Sequence, residues 1–106
     1  EDSLTLPFMD EGADGVSSVA SNIIVKLMAN FMKAILRGDR ETATNLDSAL
    51  QPFFAALFLD PNPVPIKHLL ARSGLIKSSE VRLPLTPLRK EFLASLETSY
   101  EAIKAL

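Results

Sequence analysis

The chain has no cysteine and no tryptophan, one tyrosine, one histidine and only four glycines among 106 residues. Without cysteine there is no disulfide framework, zinc ribbon or thiol nucleophile, and a lone histidine cannot build a multi-histidine metal site. A reducing compartment suits such a composition, and a cytoplasmic location is expected. An excess of one charge sign is also lacking: eleven Lys and Arg stand against thirteen Asp and Glu, for a formal charge of −2. No block of five like charges occurs, so the basic footprint of a nucleic-acid binder is absent and no nucleic-acid partner is expected. Apolar runs are broken by Lys26, Lys33, Arg37 or prolines, well short of the roughly 18 residues that span a bilayer. No membrane association is expected, and the opening Glu1-Asp2 does not read as a signal-like leader. At this length the chain holds one small core and cannot be a complete (β/α)8 barrel, which takes about 250 residues. What is present, 47% hydrophobic and 23% charged residues, suits a packed piece of protein and not a disordered one.

The clearest periodicity predicts a helix over residues 22 to 37, with Ile23, Ile24, Leu27, Met28, Phe31, Met32, Ile35 and Leu36 forming a wide apolar stripe. Asn22 stands where an N-cap would, and Gly38 where a left-handed residue would end the helix. Asp39 can cap the next helix at once, with Glu41 in its first turn. Ala43, Leu46, Leu50, Phe53, Phe54, Leu57 and Phe58 continue the inner face, and Pro52 is expected to bend or divide this helix. Asp60-Pro61-Asn62-Pro63-Val64-Pro65 is a turn. A short helix over 65–73 closes at Gly74, and Lys77 to Pro84 is an irregular connector. Thr86-Pro87 reads as N-cap and N1 of a last helix carrying Leu88, Phe92, Leu96, Tyr100 and Ile103.

The first 21 residues differ: an apolar segment, Leu4 to Met9, a turn from Asp10 to Gly15, and Val16-Ser17-Ser18-Val19-Ala20. They predict helix, turn and one short strand at about 16–20. No other segment offers it a partner, and unpaired buried backbone is costly. Helix, glycine-bearing turn, strand and helix is the rhythm of a parallel α/β fold, so the chain reads as the tail end of a larger protein, followed by a helical appendage.

At Gly15-Val16-Ser17-Ser18-Val19-Ala20-Ser21-Asn22, and more specifically at Leu57-Phe58-Leu59-Asp60-Pro61-Asn62-Pro63-Val64-Pro65-Ile66-Lys67, the sequence resembles the dihydrodipicolinate synthase (4-hydroxy-tetrahydrodipicolinate synthase) family. Arg82-Leu83-Pro84-Leu85-Thr86-Pro87 matches that family's segment before its last helix. The resemblance covers essentially the whole chain. It implies an α/β parent, of which this is the C-terminal piece of a (β/α)8 TIM barrel. The chain itself would be mostly α, with residues 1–37 ending the barrel and 38–106 forming a C-terminal helical extension. About two thirds of the enzyme would lie upstream. The implied activity is condensation of pyruvate with aspartate 4-semialdehyde through a lysine Schiff base, toward lysine and diaminopimelate, with no cofactor. The reactive lysine and the other catalytic residues belong to the upstream part, so no catalytic residue carries over. One binding position does: Ser17, third in the G-V-x-S-V motif, would face the pyruvate pocket through its backbone carbonyl. Isoleucine or valine is usual there, and the serine departs from that pattern. The implied partners are the N-terminal barrel portion of the same protein, the two substrates, and further copies in a homo-oligomer.

Other candidates favour plain structural roles. Gly12, Gly15, Ser17, Ser18 and Ser21 before a helix could hold an anion, but G-x-G-x-x-G and G-x-x-x-x-G-K spacings are absent, which favours a turn and a helix cap. Lys26, Lys33, Lys67, Lys77, Lys90 and Lys104 fall on polar faces or loops, not in the desolvated setting a Schiff-base lysine needs. His68 has no evident orienting partner, and the carboxylates of Glu1-Asp2, Asp10-Glu11 and Glu97-Glu101 read as solvent faces or helix-start charges. Two alternatives remain at this level. One is an independent helical interaction module, which has no reason to encode an orphan strand. The other is the tail of a related pyruvate-dependent lyase such as N-acetylneuraminate lyase.

Overall fold

The computed structural model describes all 106 residues. Five α-helices follow in order: α1 (Thr5–Asp10), α2 (Val25–Leu36), α3 (Arg40–Ala56), α4 (Val64–Arg72) and α5 (Lys90–Lys104), with short 3-10 turns at Asp2–Leu4 and Ala20–Asn22. The central helix is α3, which packs mainly against α2 on one side and α5 on the other. It brings Ala43, Leu50, Phe53 and Phe54 against Met28, Phe31 and Ala34 of α2 and Leu96 and Ile103 of α5, with Leu6, Leu57 and Leu69 in the same cluster. One core therefore runs from α1 to α5.

Glycine sets the helix ends. Gly38, at φ +72°, follows α2; its amide donates to the Ile35 carbonyl at 3.0 Å and the Asp39 amide donates to Ala34 at 2.9 Å. Gly74, at φ +75°, closes α4 the same way, through Gly74 to Ala71 and Leu75 to Leu70. Both are Schellman closures, which need a left-handed residue. Asp39 then caps α3 by accepting from the Thr42 amide at 3.2 Å.

Three expectations are corrected, and the one for Pro52 is narrowed. No strand forms at 16–20: the chain is irregular from Ala13 to Val19 and then enters a 3-10 turn, because no other segment lies alongside to complete a ladder. Asn22 does not cap α2. Its side-chain amide donates back to the Val19 carbonyl at 2.9 Å, and α2 starts three residues later with no side-chain cap. Pro52 does not divide α3, which continues through it. Ser48 and Pro52 are both exposed, so the carbonyl that loses its donor is turned toward solvent. Thr86-Pro87 is not the start of α5. The chain stays extended to Arg89, at φ −70° and ψ 138°, and turns helical at Lys90, because Asp60 captures the Arg89 amide.

Candidate functional site

Ser17, the one expected binding residue, lies exposed in the irregular run between α1 and α2. From Asp14 to Ser17 no backbone N–H or C=O is hydrogen-bonded within the chain. Immediately after it the backbone is tightly held. Asp2, 1% exposed, accepts from the Ser18 hydroxyl through Oδ1, and from the Val19 and Ala20 amides through Oδ2 at 2.9 and 3.1 Å. Ser18 Oγ in turn accepts from the Ser21 amide at 2.9 Å, and Ser21 Oγ donates to the Ser18 carbonyl at 3.0 Å. Of the residues considered for an anion cradle, Ser18 and Ser21 are thus engaged with each other, and Ser18 with a carboxylate, which repels anions. Asp2 is a correction to the reading of Glu1-Asp2 as a solvent face. No signal in the sequence ties Asp2 to Ser18, which lies 16 residues away.

A second buried carboxylate, Asp60, stands in the proline-rich turn before α4. Its Oδ2 accepts from the Arg89 amide at 3.0 Å, and its Oδ1 takes Arg89 Nε at 3.0 Å and Nη2 at 2.9 Å. Hydrogen bonds from the Arg89 side chain and then its backbone hold the Asp60 carboxyl below the usual carboxylate range, against the opposing effect of burial. The same bond raises the Arg89 guanidinium, which also lies 4.6 Å above the Phe92 ring. Neighbours of this pair include Pro61, Pro84, Leu85 and Thr86, so both proline-bearing motifs of the sequence meet here.

His68 does have a partner. Its Nε2 is 3.3 Å from Glu97 Oε1, and Arg72 Nη1 is 3.1 Å from the same oxygen. Glu97 therefore ties α4 to α5 and is not part of an exposed pair with Glu101, which bonds Lys104 at 3.3 Å instead. Lys26, Lys33, Lys77, Lys90 and Lys104 are exposed, while Lys67 is half-buried and donates to the Glu80 carbonyl. No three His, Asp or Glu side chains cluster as metal ligands would, and no helix is long and apolar enough to cross a membrane.

This arrangement offers one backbone segment open for contact and two carboxylate anchors, each taken up by donors from its own chain. Residues 1–103 match the model of the dihydrodipicolinate synthetase family. The chain belongs to that family. It is 46% identical over 88 residues to the 4-hydroxy-tetrahydrodipicolinate synthase of Methanosarcina barkeri, covering 83% of this chain and 30% of that one. With the Listeria welshimeri synthase it shares 41% identity over 103 residues, or 97% of this chain and 35% of that one. Among solved structures, the synthase of Methylacidiphilum fumariolicum SolV superposes with a TM-score of 0.94 at 41% identity, over 99% of this chain and 35% of that one. The chain thus spans about a third of the length of the dihydrodipicolinate synthetase relatives it matches. The solved dihydrodipicolinate synthases are TIM barrels, and the five helices here correspond to part of that fold.

Proposed function

We propose that the chain is the C-terminal third of a 4-hydroxy-tetrahydrodipicolinate synthase-like lyase, which condenses pyruvate with aspartate 4-semialdehyde through a lysine Schiff base in lysine and diaminopimelate biosynthesis. The observation that carries this reading is the superposition of 99% of the chain on 35% of the Methylacidiphilum synthase at 41% identity. A 31% identical neighbour from Acinetobacter baumannii, described as complexed with pyruvate, supports pyruvate as the first substrate. In this reading residues 1–37 end the barrel and residues 38–106 are its helical extension. The partner is the N-terminal barrel portion, and the assembled protein is a cytoplasmic homo-oligomer.

The unpaired run Asp14–Ser17 supports the barrel assignment. Backbone open on both edges is what a stave between two neighbouring strands needs. Ser17, with its carbonyl free, contacts pyruvate through that carbonyl, and its hydroxyl adds a polar group to the pocket wall. The lysines of this chain are exposed or, for Lys67, bonded to a carbonyl. None has the desolvated setting that frees a lysine amine near neutral pH, so the chain alone is inactive and structural.

The test is an assay of the whole enzyme that carries this chain. Consumption of pyruvate with aspartate 4-semialdehyde, without cleavage of N-acetylneuraminate, is the expected result. Cleavage of N-acetylneuraminate would move the reading to that lyase, and turnover of neither would overturn it.

A further inference from the structure

Asp2 is the most deeply buried carboxylate of the chain, and no ion pair reaches it. Burying a charge without a counter-ion is costly, so its location calls for donors, and three converge on it: Ser18 Oγ, the Val19 amide at 2.9 Å and the Ala20 amide at 3.1 Å. These are the three residues straight after Ser17. On the other side, Asp14 to Ser17 bond to nothing in the chain. Between Gly12 and α2, the Asp2 carboxylate is therefore the long-range hydrogen-bonded anchor of the run, reaching 16 to 18 residues along the sequence. A shift of Ser18 moves the peptide plane that carries the Ser17 carbonyl, since that carbonyl and the Ser18 amide share one rigid plane.

We infer that Asp2 is a positioning residue for substrate contact: acting through Ser18, Val19 and Ala20, it fixes where the Ser17 carbonyl is presented. This rests on the reading of Ser17 as the pyruvate contact. Asp2→Asn is the sharpest probe, because it keeps the shape while removing the negative charge on which the Ser18 hydroxyl and the Val19 and Ala20 amides converge.

In the whole enzyme, Asp2→Asn is expected to raise KM for pyruvate about tenfold, the scale on which small misplacement of a contact acts. KM for the second substrate should stay unchanged. Ser18→Ala, which removes one of the three arms, should move pyruvate KM in the same direction by less and serves where Asp2→Asn folds poorly. Asp39→Ala, which uncaps α3 away from this run, should lower stability and leave pyruvate KM alone. The Val19 and Ala20 amide resonances of labelled protein report whether the bonds to Asp2 have been lost. Lost bonds with an unchanged pyruvate KM would overturn the inference while leaving the function intact. A wild-type enzyme that does not use pyruvate would overturn the functional reading first and this inference with it.

Discussion

Asp60 and Arg89, 29 residues apart, are joined by three bonds of 2.9 to 3.0 Å that use the arginine's amide, Nε and Nη2. Arg89 thus ties the start of α5 to the turn before α4 by side chain and backbone together. Removing only the guanidinium, as in Arg89→Ala, leaves the amide bond and strands part of a buried carboxylate. Asp60→Asn loses all charge assistance. Both variants should lower the denaturation midpoint, and Asp60→Asn should raise amide exchange at Arg89 and through the first turn of α5. A midpoint equal to wild type in both would contradict this role.

Acid should expose the same pair. The carboxyls of Asp60, bonded by Arg89, and Asp39, bonded by Thr42 and assisted by Arg37, sit below the usual value in the folded chain. With folded values below the unfolded one of about 3.9, their contribution is complete above that value and is lost as pH falls through the lowered values. Stability should therefore decline as the medium is acidified from about pH 5 toward pH 2. Arg89→Ala should flatten that acid limb, as followed by urea midpoints at each pH.

Two substitutions should separate packing from backbone geometry. Phe53 is fully buried on α3, with its ring 5.8 Å from Tyr100, and Phe53→Ala should cost about 3–5 kcal/mol. At Gly38 an added Cβ meets nothing within 4 Å, yet φ is +72°. Gly38→Ala should thus cost only the left-handed conformation, about 1 kcal/mol.

Much of this was legible in the sequence because it is local. The stripe of α2, the Asp39 cap and the glycine closures at Gly38 and Gly74 depend on residues within one or two turns. What was missed depends on distant partners. Asp2 reads as a surface acid until the fold brings Ser18–Ala20 to it; Glu97 reads as one of an exposed pair until α4 delivers His68 and Arg72. Thr86-Pro87 has the letters of a helix start, but Asp60 holds Arg89 extended three residues later. The strand at 16–20 failed for a different reason: a strand needs neighbours to complete its ladder, and none lies alongside it in this chain.

That run gives its own prediction. In the isolated chain the amides of Asp14 to Ser17 have no acceptor and should exchange near the rate of an unprotected peptide. In the whole enzyme they should be strongly protected by flanking strands. Equal exchange in the two would contradict the barrel assignment.

The most direct test of the central claim is mass spectrometry with peptide mapping of the whole enzyme after treatment with pyruvate and borohydride. The account predicts a single pyruvyl adduct on a lysine outside residues 1–106, with Lys26, Lys33, Lys67, Lys77, Lys90 and Lys104 unmodified. An adduct on any of those six, or none anywhere, would contradict it.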